Sequence, residues 1–218
     1  MLKLNLKLGT CSVIGQAVGA AAYIAKKYDL KTPREVGRYI EELQQVLLIN
    51  DCFLPEIQRK TGGVGQNFLF PEAARILQNG KDRDFADSKN KYFVKNGETL
   101  TYKLPEPQYV RYVKIVFDSD LNRDSFGDMH ECEKQHTMRC NVLDDSPVMY
   151  MPGTLVKAFR AEIVTATGGR ETLFSTTENI KRNLLLFVEK EVKEVRLTVE
   201  KNWGNSDESG IFTFELFD

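Results

Sequence analysis

His130, Cys132, His136 and Cys140 bring both histidines of the chain and two of its four cysteines into one short run. Imidazole and thiolate donors suit a tetrahedral zinc or another soft metal. The intervening gaps of one, three and three residues match no standard finger, so the same run also reads as a long loop inserted between strands, with Met129 and the cysteines packing beneath it. No metal ligand is assigned. Asp118, Asp120, Asp124 and Asp128 form a second cluster, which lacks the glycine and terminal glutamate of a calcium-binding loop. It reads as a solvated acidic loop. With two histidines on one loop, no nucleophile–base pair or carboxylate pair is defined, and no catalytic residue is assigned. Trp203 could offer a sugar-stacking face, but a single tryptophan beside turn residues reads first as a residue packed at a sandwich edge.

The elements that must position these residues fall into two kinds. Up to about residue 54 the pattern is helical. Residues 15–28 are rich in Gly and Ala, with a helix expected to begin at Gly15-Gln16 and to end at Asp29 and Leu30. Thr32, Pro33 and Glu35 form a helix start with a capping box, and Val36, Ile40, Leu43 and Leu47 share one face of the helix that follows. Asn50, Asp51 and Pro55 stop it. From about residue 64 the period becomes two. Tyr109, Arg111, Val113, Ile115 and Phe117 alternate with Val110, Tyr112, Lys114 and Val116. Phe159, Ala161 and Ile163, then Val195, Leu197 and Val199, then Phe212, Phe214 and Leu216 repeat the pattern. Leu184 to Val188 is an unbroken apolar run, expected to be covered on both sides. Turn signals at Asn79-Gly80, Asn96-Gly97, Gly168-Gly169 and Asn202 to Asn205 separate the runs. The expectation is a mainly β protein, an antiparallel β-sandwich over residues 56–218, preceded by a short two-helix N-terminal segment over residues 1–55.

Two stretches carry a family resemblance. Gly9 to Ala22, Thr32 to Val36 and Tyr39 to Leu48 resemble the last helices of the flavin domain in bacterial FAD-dependent oxidoreductases. Val110 to Arg123, Thr154 to Arg160 and Val195 to Gly204 are similar to the discoidin-like sandwich that follows that domain in many of those proteins, and residues 73–80 fit its early strand and turn. By family resemblance, that sandwich is jelly-roll-like (galactose-binding-like). The resemblance implies a C-terminal portion of a flavoenzyme, with the backbone of Gly15, Gln16, Ala17 and Val18 facing the flavin ring of the parent enzyme. A helix end there would offer unpaired amides and a positive partial charge, with glycines allowing close approach. The pyrophosphate-binding G-x-G-x-x-G segment that the family places near its start is missing. Thr61 to Gln66 holds a glycine cluster without the strand–turn–helix context, and it reads as a linker. FAD therefore belongs to the parent enzyme, and this chain is expected to be colourless, inactive alone, and partnered by a flavin domain in cis or in trans.

A net charge of −1 with no basic run interleaved with aromatics excludes a phosphate-binding surface for nucleic acid. The apolar stretch Ala17 to Ala25 is too short to span a membrane. The second expectation is a stand-alone carbohydrate- or ligand-binding sandwich using loops at one end. The third is a structural domain that stabilises a homo-oligomer through an uncovered helix face bearing Tyr23, Ile24 and Tyr28.

Overall fold

The computed structural model describes residues 8–64, 72–85, 88–121 and 151–218, with residues 8–10 as backbone alone. Contacts divide these into a helical unit, residues 8–59, and a β unit formed by the described residues from Lys60 onward. His130, Cys132, His136 and Cys140 lie outside the described residues, as do Asp124 and Asp128.

In the helical unit, α1 spans Leu8–Lys27, so it begins a full two turns earlier than expected. The chain leaves it through Asp29, at φ 48°, with the Leu30 amide returning to the Ala25 carbonyl at 2.9 Å. Thr32 and Glu35 close the expected capping box: the Glu35 carboxylate accepts from the Thr32 amide at 3.0 Å. The helix that follows is not uniform. It runs as a 3-10 helix over Pro33–Tyr39 and becomes α2 only over Ile40–Ile49. Tighter winding in the first part changes the phase of the apolar face. Val36, Leu47 and Leu48 are buried, whereas Ile40, expected on the same face, is 48% exposed. The face of α1 expected to be bare is partly covered: Ile24 is fully buried, and Tyr28 stacks on Tyr39 at 3.9 Å.

The β unit contains β1 Tyr92–Lys95, β2 Thr99–Phe117, β3 Val156–Thr165, β4 Arg170–Thr176, β5 Asn183–Asn202 and β6 Glu208–Phe217. All pair antiparallel in the order β1-β6-β2-β5-β3-β4. The long β2–β5 ribbon is interrupted between the pairs Lys103↔Glu194 and Gln108↔Val192. Leu104 to Pro107 oppose Lys193 alone, and Pro105 and Pro107 have no N–H to give the ladder. The ribbon folds there into two layers. Tyr102, in the first half of β2, packs edge-on against Phe214, the neighbour of Ile115 in the second half. Phe117 and Phe159 meet across the layers in the same way, with ring centres 5.0 Å apart. The expected antiparallel sandwich with N-terminal helices is what forms.

Register explains where the alternation reading departs from the structure. A bulge between Val110 and Tyr112 flips the parity of β2. Leu100, Tyr102, Leu104 and Val110 enter the core before it, and Val113, Ile115 and Phe117 after it. Tyr109 and Arg111, expected to share the face of Val113, are exposed. Phe159, Ala161, Ile163, Val195, Leu197 and Val199 are all fully buried as expected. The turns hold too, with Gly80, Gly97, Gly168 and Asn205 at positive φ.

Residues 73–80 form no strand. Glu72–Gln78 is a 3-10 helix whose Ala74 and Leu77 are fully buried, followed by the Asn79-Gly80 turn. Nor are Thr61 to Val64 a loose linker: Val64 bridges to Leu216, and the Gly62 amide donates to the Glu215 carboxylate at 3.1 Å. This strap and the 3-10 helix cover the outer face of β6, which is why Thr213 and Glu215 are buried although their alternation points them away from the core.

Candidate functional site

Among the described residues, two strand segments beside the β4–β5 connection have a partner on one side only. β4 pairs only with β3, and β5 from Asn183 to Val188 pairs only with β2. A cleft of about 470 Å³ opens between them, completed by the β4–β5 connection. Leu173, Leu184 and Leu186 give it an apolar lining, and Phe174, Ile180 and Phe187 line it while remaining exposed. The run Leu184 to Val188 is thus not covered on both sides: Leu184 and Val188 turn inward, and Phe187 is 65% exposed. Thr176, Glu178 and Lys181 add a hydroxyl, a carboxylate and an ammonium.

The connection is held by the buried Asn179. Its amide group donates to the carbonyls of Val156 at 2.8 Å and Lys181 at 2.9 Å, and its side-chain oxygen accepts from the Lys181 amide at 3.0 Å. Its own carbonyl accepts from the indole N–H of Trp203 at 2.8 Å. Such saturation fixes the loop that presents Ile180, Glu178 and Lys181. Trp203 packs against the core and carries the Lys157 ammonium 4.4 Å from its ring centre. Packing against the core agrees with its sandwich-edge reading. Lys157 also pairs with Glu178 at 3.1 Å.

The other expected sites fare differently. Gly15, Gln16, Ala17 and Val18 lie within α1, past its first turn, where their amides belong to the helical ladder. The free helix end expected at Gly15 is therefore not there. A Cβ on Gly15 would meet nothing within 4 Å, so this glycine makes no close approach, and Gln16 instead donates to the Asn50 carbonyl at 3.0 Å. Asp118 is not part of a solvated loop. It is buried, pairs with Lys91 at 2.5 Å and accepts from the Asp120 amide at 2.9 Å. Among the described residues no three metal-ligating side chains come together, and no helix is long and apolar enough to cross a membrane.

The cleft escaped sequence reasoning because one wall, Leu184 to Phe187, read as covered on both sides, and Leu173 to Lys181 carried no reading at all.

No known family matches the chain, and no curated protein matches it. Among solved structures it is similar to a GH31 CBM32-2 module bound to GalNAc, at 12% identity and a TM-score of 0.45, covering 72% of this chain and 95% of that one. It is similar also to the family 32 carbohydrate-binding module of Streptococcus pneumoniae EndoD, at 12% identity and a TM-score of 0.45, covering 72% and 97%. A third is chitosan-binding module 1 of a chitosanase/glucanase from Paenibacillus sp. IK-5, at 11% identity and a TM-score of 0.44, covering 73% and 100%. Likeness of this extent leaves the ligand to be argued from the cleft itself.

Proposed function

We propose that the β unit is a non-catalytic carbohydrate-binding module whose site is the cleft between β4 and β5. One observation carries this reading. Two exposed aromatic rings, Phe174 and Phe187, line a cleft that also holds Thr176, Glu178 and Lys181. A sugar presents apolar C–H faces and polar hydroxyl edges. Aromatic walls suit the first, and a mixed set of donors and acceptors suits the second. The cleft is open to solvent at strand edges, which fits a terminal sugar or short oligosaccharide better than an engulfed cofactor. The flavoenzyme reading rested on a resemblance of two stretches, and the helix end it placed at Gly15 to Val18 lies inside α1.

A glycan array probed with the purified full chain tests the proposal. Selective signal for a related set of glycans, reduced by Phe187→Ala in a variant that keeps its melting temperature, supports it. A silent array overturns it, and so does a signal that Phe187→Ala leaves unchanged.

A further inference from the structure

A polar cluster adjoins the cleft through Asn183, one of the residues that line it. Lys114 has a side chain that is 0% exposed, although it sits on the outward face of β2. Its ammonium donates to Asn183 Oδ1 at 2.6 Å and lies 3.5 Å from Asp82 Oδ2. The register accounts for the meeting: Lys114 pairs with Leu185 and Val116 with Asn183, so Lys114 and Asn183 are diagonal neighbours on one face. Asp82 is fixed in turn, accepting from the Thr213 hydroxyl at 2.6 Å through its other oxygen. Arg182 donates to the Asp82 carbonyl, and Glu215, the register partner of Lys114 on β6, is tied to the amides of Gly62 and Gly80.

An amine, a carboxamide and a carboxylate are thus held together, with the amine wholly shielded from water. Removing a charged amine from water is costly, and its conversion to a neutral amide relieves that cost. Orientation of this kind replaces the encounter of separate reactants. We infer that Lys114 and Asn183 join in an intramolecular isopeptide bond, with Asp82 as the proton shuttle. Asp82 takes one proton from the Lys114 ammonium. The freed Nζ attacks Cγ of Asn183, and the Nζ–Cγ bond forms as the Cγ–Nδ2 bond breaks. Asp82 returns its proton to the leaving nitrogen, which also carries away the second Nζ proton and departs as ammonium. Lysine ammonium and carboxamide become amide and ammonium, with no oxidant or reductant. Asp82 ends as the carboxylate it began as.

Intact-mass spectrometry of the folded full chain tests this, with peptide mapping to locate the change. The wild-type chain should weigh one ammonia less than its sequence, and digestion should release a branched peptide joining Lys114 to Asn183. Asn183→Ala and Asp82→Asn should each restore the full mass expected from their sequences. A folded wild-type chain of full mass overturns the inference. So does an ammonia loss that maps to any other asparagine. An Asp82→Asn chain that still carries the bond overturns the shuttle role. The wild-type measurement needs no variant to fold, and its outcome is independent of any glycan binding.

Discussion

The phenol of Tyr102 donates a 2.5 Å hydrogen bond to the carbonyl of Phe214 while the two rings meet edge to face at 4.8 Å. One side chain thereby ties the folded-over half of β2 to the opposite layer. Tyr102→Phe keeps the ring and removes the hydrogen bond. It should cost about 1 kcal/mol, which for a domain of this size lowers the melting temperature by roughly 2–4 °C.

The same phenol gives the β unit a pH dependence. Burial first, and then the charge of Glu215, holds its proton well above the ordinary value of 10.0. A group whose folded-state pKa is raised contributes fully below its unfolded value and loses that contribution as pH climbs toward the folded one. Wild type should therefore weaken above pH 10, and the stability gap between it and Tyr102→Phe should shrink there. Urea denaturation on either side of that pH checks it. A gap that stays constant contradicts the assignment.

The strap over β6 depends on one glycine. A Cβ at Gly62 would lie 1.9 Å from the Leu216 carbonyl oxygen, whereas one at Gly63 would meet nothing nearer than 3.6 Å. Gly62→Ala should cost about 1–3 kcal/mol and speed hydrogen exchange in residues 61–64. Gly63→Ala should change neither by a comparable amount. Equal behaviour of the two variants would show that the strap does not press on β6.

In α1, Gly15 and Gly19 have open space where a Cβ would go. Gly15→Ala and Gly19→Ala should each raise helix stability by about 1 kcal/mol, seen as a higher melting temperature in the helical signal. A loss of stability would mean that backbone there meets something closely.

Glu42 receives two hydrogen bonds, from Lys27 Nζ at 2.7 Å and from the Tyr28 hydroxyl at 2.6 Å. The Lys27 bond first, and then the Tyr28 bond, holds its carboxyl below the ordinary 4.5. Carboxyl-carbon NMR titration should show Glu42 ionising early. Lys27→Met should raise its pKa more than Tyr28→Phe does. The reverse order would contradict the assigned ranking.

How much of this was legible in the sequence depends on which interaction decides each element. Strands whose cores are local alternations, such as Phe159 to Ile163 and Val195 to Val199, could be read directly, and so could turns that demand positive φ at Gly97 or Gly168. The bulge beside Arg111 could not, because register is a property of the partner strand as well. Alternation put Lys114 on the face opposite Val113 and Ile115 but did not say what covers that face; its contacts with Asp82 and Asn183 are long-range. Phe187 failed in the opposite sense. It lies in an apolar run that reads as core, yet it is exposed because it takes the face opposite the inward Leu184 and Val188. The cleft is built from that segment, so no spacing along the chain announced it.

The central claim is tested most directly by an NMR titration of the full chain with the glycan that scores highest on the array. Shift changes should concentrate at Leu173 to Thr176 and Glu178 to Phe187, and should saturate. Phe187→Ala should weaken the fitted affinity by about tenfold, equivalent to about 1.4 kcal/mol. Saturable shifts that map elsewhere on the chain, or none at any residue, would contradict it.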